Sequence, residues 1–522
     1  MCAPIINLSY FLFGIVRFLL YLHSENLTQQ KTTNTMSEEN PNQLNNHIEM
    51  KKVWELIAIV IITAVIWNLP TAFFGIDGLT VVQQRVIAIF VFATLSWLTE
   101  AIPSWATSLT IITIMCLTIS NNAIVFFKGE GEQFGELLAS KDIMATFANP
   151  VIMLFLGGFI LAIAATKSGL DVLLAKNLIR PFGHKSENVL LGFLLITGVF
   201  SMFVSNTATA AMMLTFLTPV FAALPANGKG RIALTMSIPV AANIGGMATP
   251  IGTPPNAIAL QALNEQLGMN VSFGQWMAVM FPLVVLVLFI SWRLILHFFP
   301  FTQKTIELKI EGEIAHGWRM WVVSGTFVVT ILMWLFDRVT HVDANTVAMI
   351  PMGVFALTGV ITGKDLQKID WSVIWMVAGG FALGLGMNGS GLADRAIESI
   401  PFGQFSPVAI LLISGVICYF LSNFISNTAT AALLVPILAV VCTGMGDKLS
   451  SIGGTSTVII GIALAASSAM CLPISTPPNA IAYSTGLVKQ NDMLKVGLTV
   501  GIISMVLGYC LLYFIGKIGF FA

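Results

Sequence analysis

The chain has 522 residues, 25 basic and 25 acidic side chains, 56% hydrophobic residues and only 10% charged ones. Its mean hydropathy is +0.87. A soluble domain carries about 25% charged residues, so the composition excludes a soluble fold and indicates a polytopic membrane protein. Zero net charge gives no reason to expect a nucleic-acid partner. Six scattered cysteines without a CxxC spacing argue for free thiols rather than disulfides or a metal cluster.

Residues 5–22 are apolar apart from Arg17 and a few small polar residues, whereas residues 24–50 are rich in Asn, Gln and Glu. The first stretch lacks the basic flank and cleavage site of a signal peptide. It reads as an interfacial helix or an upstream extension ahead of Met36, and the second stretch reads as disordered. Residues 1–50 are therefore set apart as an N-terminal extension.

Apolar runs long enough for a bilayer of about 30 Å follow at roughly 53–69, 85–98, 104–120, 143–166, 189–224, 231–262, 276–299, 318–336, 345–362, 371–393, 405–444, 455–487 and 493–517. Two of them, 189–224 and 405–444, are too long for one span and carry a polar interruption at the centre. The interruption is Ser205-Asn206-Thr207-Ala208-Thr209-Ala210-Ala211 in the first and Ser426-Asn427-Thr428-Ala429-Thr430-Ala431-Ala432 in the second. Each is followed by another break, Gly252-Thr253-Pro254-Pro255-Asn256 and Ser475-Thr476-Pro477-Pro478-Asn479. Gly157-Gly158-Phe159 and Gly379-Gly380-Phe381 form a third matched pair. The separations agree at 221, 223 and 222 residues, so one half of the chain is a diverged copy of the other.

Loop charges choose between two full spans and a re-entrant hairpin for each long run. With both runs read as hairpins, an N-terminus inside puts Lys51, Lys52, Arg180, Lys185, Lys229, Arg231, the 293–319 loop, Lys364, Lys368, Lys489 and Lys495 on the cytoplasmic side. Arg85, Lys128, Lys141, Arg338, Arg395, Lys448 and Lys517 remain outside. A further span at 5–22 from a cytoplasmic start would reverse that bias. The expected architecture is all-α, with about eleven transmembrane helices and two re-entrant hairpins. Its parts are a first span within 51–84 and two repeats, 85–310 and 311–522. Five spans per repeat is an odd number, so the repeats have inverted topology, the signature of secondary transporters.

A helix that restarts after Ser-Asn-Thr offers unpaired N–H groups and a positive dipole end, which suit a carboxylate. A helix that stops before it exposes carbonyls, hard ligands for a small cation. Pro254, Pro255, Pro477 and Pro478 lack N–H donors and push the residue before them out of the α region, so Thr-Pro-Pro-Asn unwinds its helix too. The expected site is two matched cation positions with an anion between them. No Arg or Lys lies at the motifs, so an anionic ligand would be met by dipoles, neutral donors and co-bound cations.

The bland alternative is helix packing, since Ser and Thr commonly bond to backbone carbonyls in membrane helices; an exact duplication beside paired Pro-Pro-Asn weighs against it. Gly157-Gly158 and Gly379-Gly380 read as close packing. Glu100, Lys167, Asp171, Asp370, Asp394 and Arg395 read as interfacial, and His184, His297, His316 and His341 as solvated. There is no Ser-His-Asp set, metal-ligand cluster or phosphate loop, so an enzyme has little support.

The paired Ser-Asn-Thr and Thr-Pro-Pro-Asn motifs, in this order and over roughly residues 50–522, resemble the divalent anion:sodium symporter family of dicarboxylate, carboxylate and citrate carriers. The resemblance implies a homodimer in the cell (inner) membrane, with a scaffold and a mobile transport domain working as an elevator. It implies substrate contacts from Ser205, Asn206, Thr207, Thr253, Pro254, Ser426, Asn427, Thr428, Thr476 and Pro477. One sodium site would use Ser201, Ser205, Asn206 and the Gly252 backbone; the other Ser422, the Ile425 backbone, Asn427 and the Ser475 backbone. The expected activity is sodium-coupled import of C4-dicarboxylates such as succinate, malate and fumarate, with sodium co-transported and no cofactor. A dicarboxylate exchanger, or a citrate or sulfate carrier, is the alternative within the same fold.

Overall fold

A computed structural model describes residues 41–222, 224–225, 228–306, 317–399 and 404–521. The segment 5–22 and the polar stretch to residue 40 lie outside the described residues. Every principal element is a helix, and among the described residues seven helices are long and apolar enough to cross a membrane. The chain divides into two compact units. Of the described residues, one holds 41–144 together with Ala382–Ser399; the other holds those within Ala145–Phe381 and from residue 404 on.

The first unit begins with α1 (Pro41–Asn68). The helix starts ten residues ahead of the boundary expected at residue 51, with Pro41 at its first position, where a missing N–H costs nothing. An established helix extends at one hydrogen bond per added residue, so the polar stretch 41–50 continues it. α1 packs on α2 (Val81–Thr99), and α2 on α3 (Ser104–Thr118). Thr80 caps α2 through a reciprocal bond with Gln83. The polar residues inside α2 hold this unit together. Gln84 Nε2 donates to the carbonyls of Ile66, Trp67 and Leu69 at the end of α1. Arg85, read from sequence as an exterior loop charge, is 9% exposed. Its Nη1 donates to Thr118 O (2.8 Å) and Phe127 O (2.6 Å), and its guanidinium lies within 5.6 Å of the Trp67, Phe127 and Phe134 ring centres.

The second unit runs through α4 (Pro150–Ser168), α5 (Ser186–Ser201), α6 (Asn206–Ala222), α7 (Lys229–Gly246), α8 (Pro254–Gln261), α9 (Phe273–Phe298) and α10 (Trp318–Leu335). It continues with α11 (Trp371–Gly389, to Phe381 in this unit), α12 (Pro407–Ser422), α13 (Asn427–Met445), α14 (Thr455–Ser468), α15 (Pro477–Ser484) and α16 (Gln490–Lys517). The apolar run 143–166 is divided at Asn149-Pro150, where the Asn149 side chain caps α4 and Pro150 opens it.

Both long runs break at their Ser-Asn-Thr motif. α5 ends at Ser201 and α6 starts at Asn206; α12 ends at Ser422 and α13 starts at Asn427. α5 and α12 have 16 residues each, about 24 Å at 1.5 Å per residue. Both Thr-Pro-Pro-Asn runs also break, between α7 and α8 and between α14 and α15. The short helices after these breaks exchange partners between the repeats. α8 packs on α13 and α14, whereas α15 packs on α6 and α7. That exchange brings all four breaks to one place.

Candidate functional site

The four breaks line a single cavity of about 180 Å³. This is well below the ~300–1,000 Å³ of pockets for drug-sized ligands. Its wall includes Ser205, Asn206 and Thr207, then Thr253 and Pro254, and equally Ser426, Asn427 and Thr428, then Thr476 and Pro477. All ten residues expected at the substrate are thus side by side. Gly252 and Ser475 also line the cavity, as do Phe155, Phe159 and Met376. Ser201, Ser422 and Ile425 stand behind the wall, buried. Among the described residues, Asp370 is the only charged one of the lining. It is exposed, and its Oδ1 accepts from Val373 N–H at the start of α11 (3.3 Å).

Each Ser of the motif is a helix cap. Ser205 Oγ accepts from Ala208 N–H (3.3 Å) and Ser426 Oγ from Ala429 N–H (3.2 Å). The N–H groups of the next two residues, Asn206 and Thr207 or Asn427 and Thr428, have no carbonyl one turn back within their helix. They mark the positive ends of α6 and α13 at the cavity wall. At the other end of α6, Arg231 donates to Phe221 O and Leu224 O, so the last carbonyls are met by a cation.

Behind the wall, oxygens converge twice. The Asn206 carboxamide lies 2.6 Å from Ser201 Oγ, 3.1 Å from Gly252 O and 3.2 Å from Ala242 O. Ser201 Oγ is also 2.7 Å from Ala242 O. In the second copy Ser422 Oγ donates to Asn427 Oδ1 (2.8 Å) and lies 3.1 Å from Ala466 O. The orientation of the Asn206 amide decides what this cluster can bind. With Nδ2 inward its two protons are shared among the three oxygens. With Oδ1 inward it completes a set of hydroxyl, amide and carbonyl oxygens that suits a hard alkali cation, and its Nδ2 is then available elsewhere.

The unwound segments follow from their prolines. Thr253 (φ −147°, ψ 141°) and Thr476 (φ −144°, ψ 149°) are extended, as residues before proline are, and Pro254 and Pro477 open the helices that follow. The carbonyls freed at the break are taken by the asparagine three residues on. Asn256 Nδ2 donates to Gly246 O, Met247 O and Thr249 O; Asn479 Nδ2 donates to Met470 O and Leu472 O. Each Ser-Asn-Thr break is also tied to its unwound segment, by Thr249 Oγ1 to Met202 O and by Ser475 Oγ to Asn423 O.

Reasoning from sequence gave no role to these two asparagines, to Asn423 or to Asn243. Asn243 lines the cavity and donates from α7 to Thr476 Oγ1 (3.1 Å) and Asn479 Oδ1 (3.3 Å). Its signal was the one carboxamide of the segment that became α7.

A helical membrane protein whose helices break in matched pairs around one small cavity has the build of a solute carrier. The chain belongs to the family described as the sodium:sulfate symporter transmembrane region, which matches residues 50–518. It is a multi-pass membrane transporter, not an enzyme. It is similar to the sodium-dependent dicarboxylate transporter SdcS of Staphylococcus saprophyticus, at 30% identity over 89% of this chain and 92% of that protein. It is similar also to SdcS of Staphylococcus aureus strain USA300, at 31% over 87% and 90%. Among solved structures, MtrF of Neisseria gonorrhoeae, described as illuminating a class of antimetabolite efflux pumps, shares the fold: TM-score 0.50 over 79% of this chain and 94% of that one, at 13% identity.

Proposed function

We propose that this protein is a sodium-coupled symporter that imports C4-dicarboxylates such as succinate, malate and fumarate across the cell (inner) membrane. The observation that carries the reading is the cavity itself. Paired hydroxyls, carboxamides and helix N-termini converge there, no Lys, Arg or His among the described residues lines it, and oxygen clusters stand behind it. A dianion in such a site needs cations beside it, so coupling to sodium follows from charge. Relatives named as sodium-dependent dicarboxylate transporters support the same reading.

In this reading the ten lining residues named above hold the two carboxylates. One sodium is held by Ser201, Ser205, Asn206 and the Gly252 carbonyl, the other by Ser422, Asn427 and the backbones of Ile425 and Ser475. The broken pairs α5–α6 and α12–α13 are re-entrant hairpins, and residues 85–310 and 311–522 are inverted repeats on about eleven spans. The N-terminus is cytoplasmic, and the carrier works as a homodimer by an elevator movement. Uptake of labelled succinate into proteoliposomes with and without an inward sodium gradient tests the reading. Sodium-driven accumulation, competed by malate and fumarate, is the expected result. Uptake driven only by internal dicarboxylate would make it an exchanger; preference for citrate or sulfate would change the substrate. No uptake of any of these would overturn it.

A further inference from the structure

The hydrogen bonds around Thr476 have a fixed direction. The carbonyls of Met470 and Leu472 can only accept, so Asn479 must turn its Nδ2 toward them, at 2.8 and 2.9 Å. Its Oδ1 then faces Asn243 and needs a donor there. Asn243 is 2% exposed and supplies that donor from Nδ2 at 3.3 Å. The same Nδ2 has a second proton, which goes to Thr476 Oγ1 at 3.1 Å. Thr476 Oγ1 also accepts from Asn479 N–H at 3.3 Å. A threonine hydroxyl has two acceptor lone pairs and one proton. Both lone pairs are taken, so the proton of Thr476 can only be donated away from these partners. Thr476 lines the cavity.

The first repeat lacks this relay. Asn256 also spends its Nδ2 on carbonyls, but among the described residues its buried Oδ1 has no hydrogen-bond partner. Ala242 and Ala466 correspond, since each carbonyl meets the serine of its own hairpin. The residue corresponding to Asn243 is therefore Ser467, whose buried hydroxyl is likewise unpartnered among the described residues. Thr253 makes no side-chain cap, unlike Thr476. The cavity thus has one threonine locked as a donor and one left to turn either way.

We infer that Asn243 is a positioning residue that fixes the Thr476 hydroxyl as a donor to one anionic oxygen of the transported solute. The inference rests on the reading of the cavity as the anion site. It makes the two ends of that site unequal: the Thr476 end demands an acceptor, whereas the Thr253 hydroxyl can accept or donate.

The test is a double-mutant cycle in proteoliposomes. The probe is whichever of succinate, citrate or sulfate the wild-type chain takes up with sodium. Asn243→Ala should raise the half-saturating anion concentration about threefold to tenfold, the effect of one lost hydrogen bond, with half-saturating sodium, read at saturating anion for each variant so that linkage drops out, nearly unchanged. Thr476→Ala should raise it at least as much. The double variant should be no worse than Thr476→Ala alone, because Asn243 acts through that hydroxyl. Thr253→Ala combined with Asn243→Ala should multiply. Should Asn243→Ala not yield folded protein, Asn243→Asp carries the same cycle. It has nearly the same size but no N–H, and its repulsion of the anion persists in the double variant and so drops out of the coupling. Multiplying losses for Asn243 with Thr476, or a sodium dependence that moves with the anion dependence, would overturn the assignment alone. Wild-type failure to take up all three anions would overturn the functional reading and this assignment with it.

Discussion

Gly246 leaves room for the Asn206 carboxamide. A Cβ on Gly246 would stand 2.6 Å from Asn206 Oδ1 and 3.0 Å from Gly252 O. Gly246 closes α7, where alanine ordinarily improves on glycine by about 1 kcal/mol. The tightest clash is with the end of a flexible side chain, and the Gly252 carbonyl need give only a few tenths of an ångström, so Gly246→Ala should displace the amide rather than unfold the helix. Thermal stability should stay close to wild type while the half-saturating sodium concentration rises severalfold. Sodium dependence unchanged in a folded Gly246→Ala carrier would remove Asn206 from the cation site.

The two positions after each capping serine should differ in what they serve. Thr207 and Thr428 lie on the cavity wall, where the oxygen clusters behind it do not involve their side chains. Thr207→Ala and Thr428→Ala should weaken the anion by about tenfold to a hundredfold, the loss of one hydrogen bond to a charged group of roughly 1.5–3 kcal/mol, with sodium dependence little changed. Asn206 and Asn427 face both the cavity and the clusters. Asn206→Ala and Asn427→Ala should disturb both dependences. Uptake titrated against anion and against sodium, normalised to folded protein, separates these outcomes from mere packing, which would lower yield and move neither.

Much of this site was legible in the chain because breaks leave local marks. Pro254 and Pro477 cannot donate, a polar triad inside an apolar run stands out, and duplication picked both from the many Ser and Thr residues of membrane helices. Proline alone was not enough: Pro219, Pro239 and Pro436 sit inside intact helices. Asn243 escaped for the opposite reason. Its counterpart is Ser467, so the repeat that exposed the other residues hid this one. The burial of Arg85 was not legible, because charge counting sees only sequence position. Its burial depends on Thr118 at the end of α3 and on Phe127 and Phe134, which reach it only after the turns beyond α3 fold back.

Arg85 also makes a prediction about stability. Its planar fork reaches two carbonyls while its face meets three aromatic rings. Lysine keeps the charge but has neither the fork nor the flat face. Arg85→Lys should lower stability by about 1–3 kcal/mol, seen as a lower unfolding midpoint in detergent. Arg85 belongs to the unit that does not contain the cavity, so uptake per folded carrier should stay near wild type. A wild-type midpoint for Arg85→Lys would show that the cation alone suffices.

Asp365 gives the chain a pH-dependent clasp. Lys167, in the last turn of α4, donates to Asp365 Oδ2 and to Val360 O. Thr362 adds its hydroxyl at 2.7 Å and its N–H at 2.9 Å, and Lys368 lies 3.3 Å from Oδ1. Lys167 first and the Thr362 hydroxyl next hold the Asp365 carboxyl well below the usual carboxylate range. A carboxyl with a depressed pKa adds stability that is fully present above its unfolded value, about 3.9. That stability is lost as pH falls from there toward the folded value. Asp365→Asn should therefore be less stable than wild type at about pH 7, and the gap should narrow as pH drops below about 4. Unfolding midpoints of the two proteins, compared over that range at fixed salt, read the difference directly. A gap that stays constant down to about pH 3 would mean that the carboxylate charge contributes nothing and that shape alone holds the clasp.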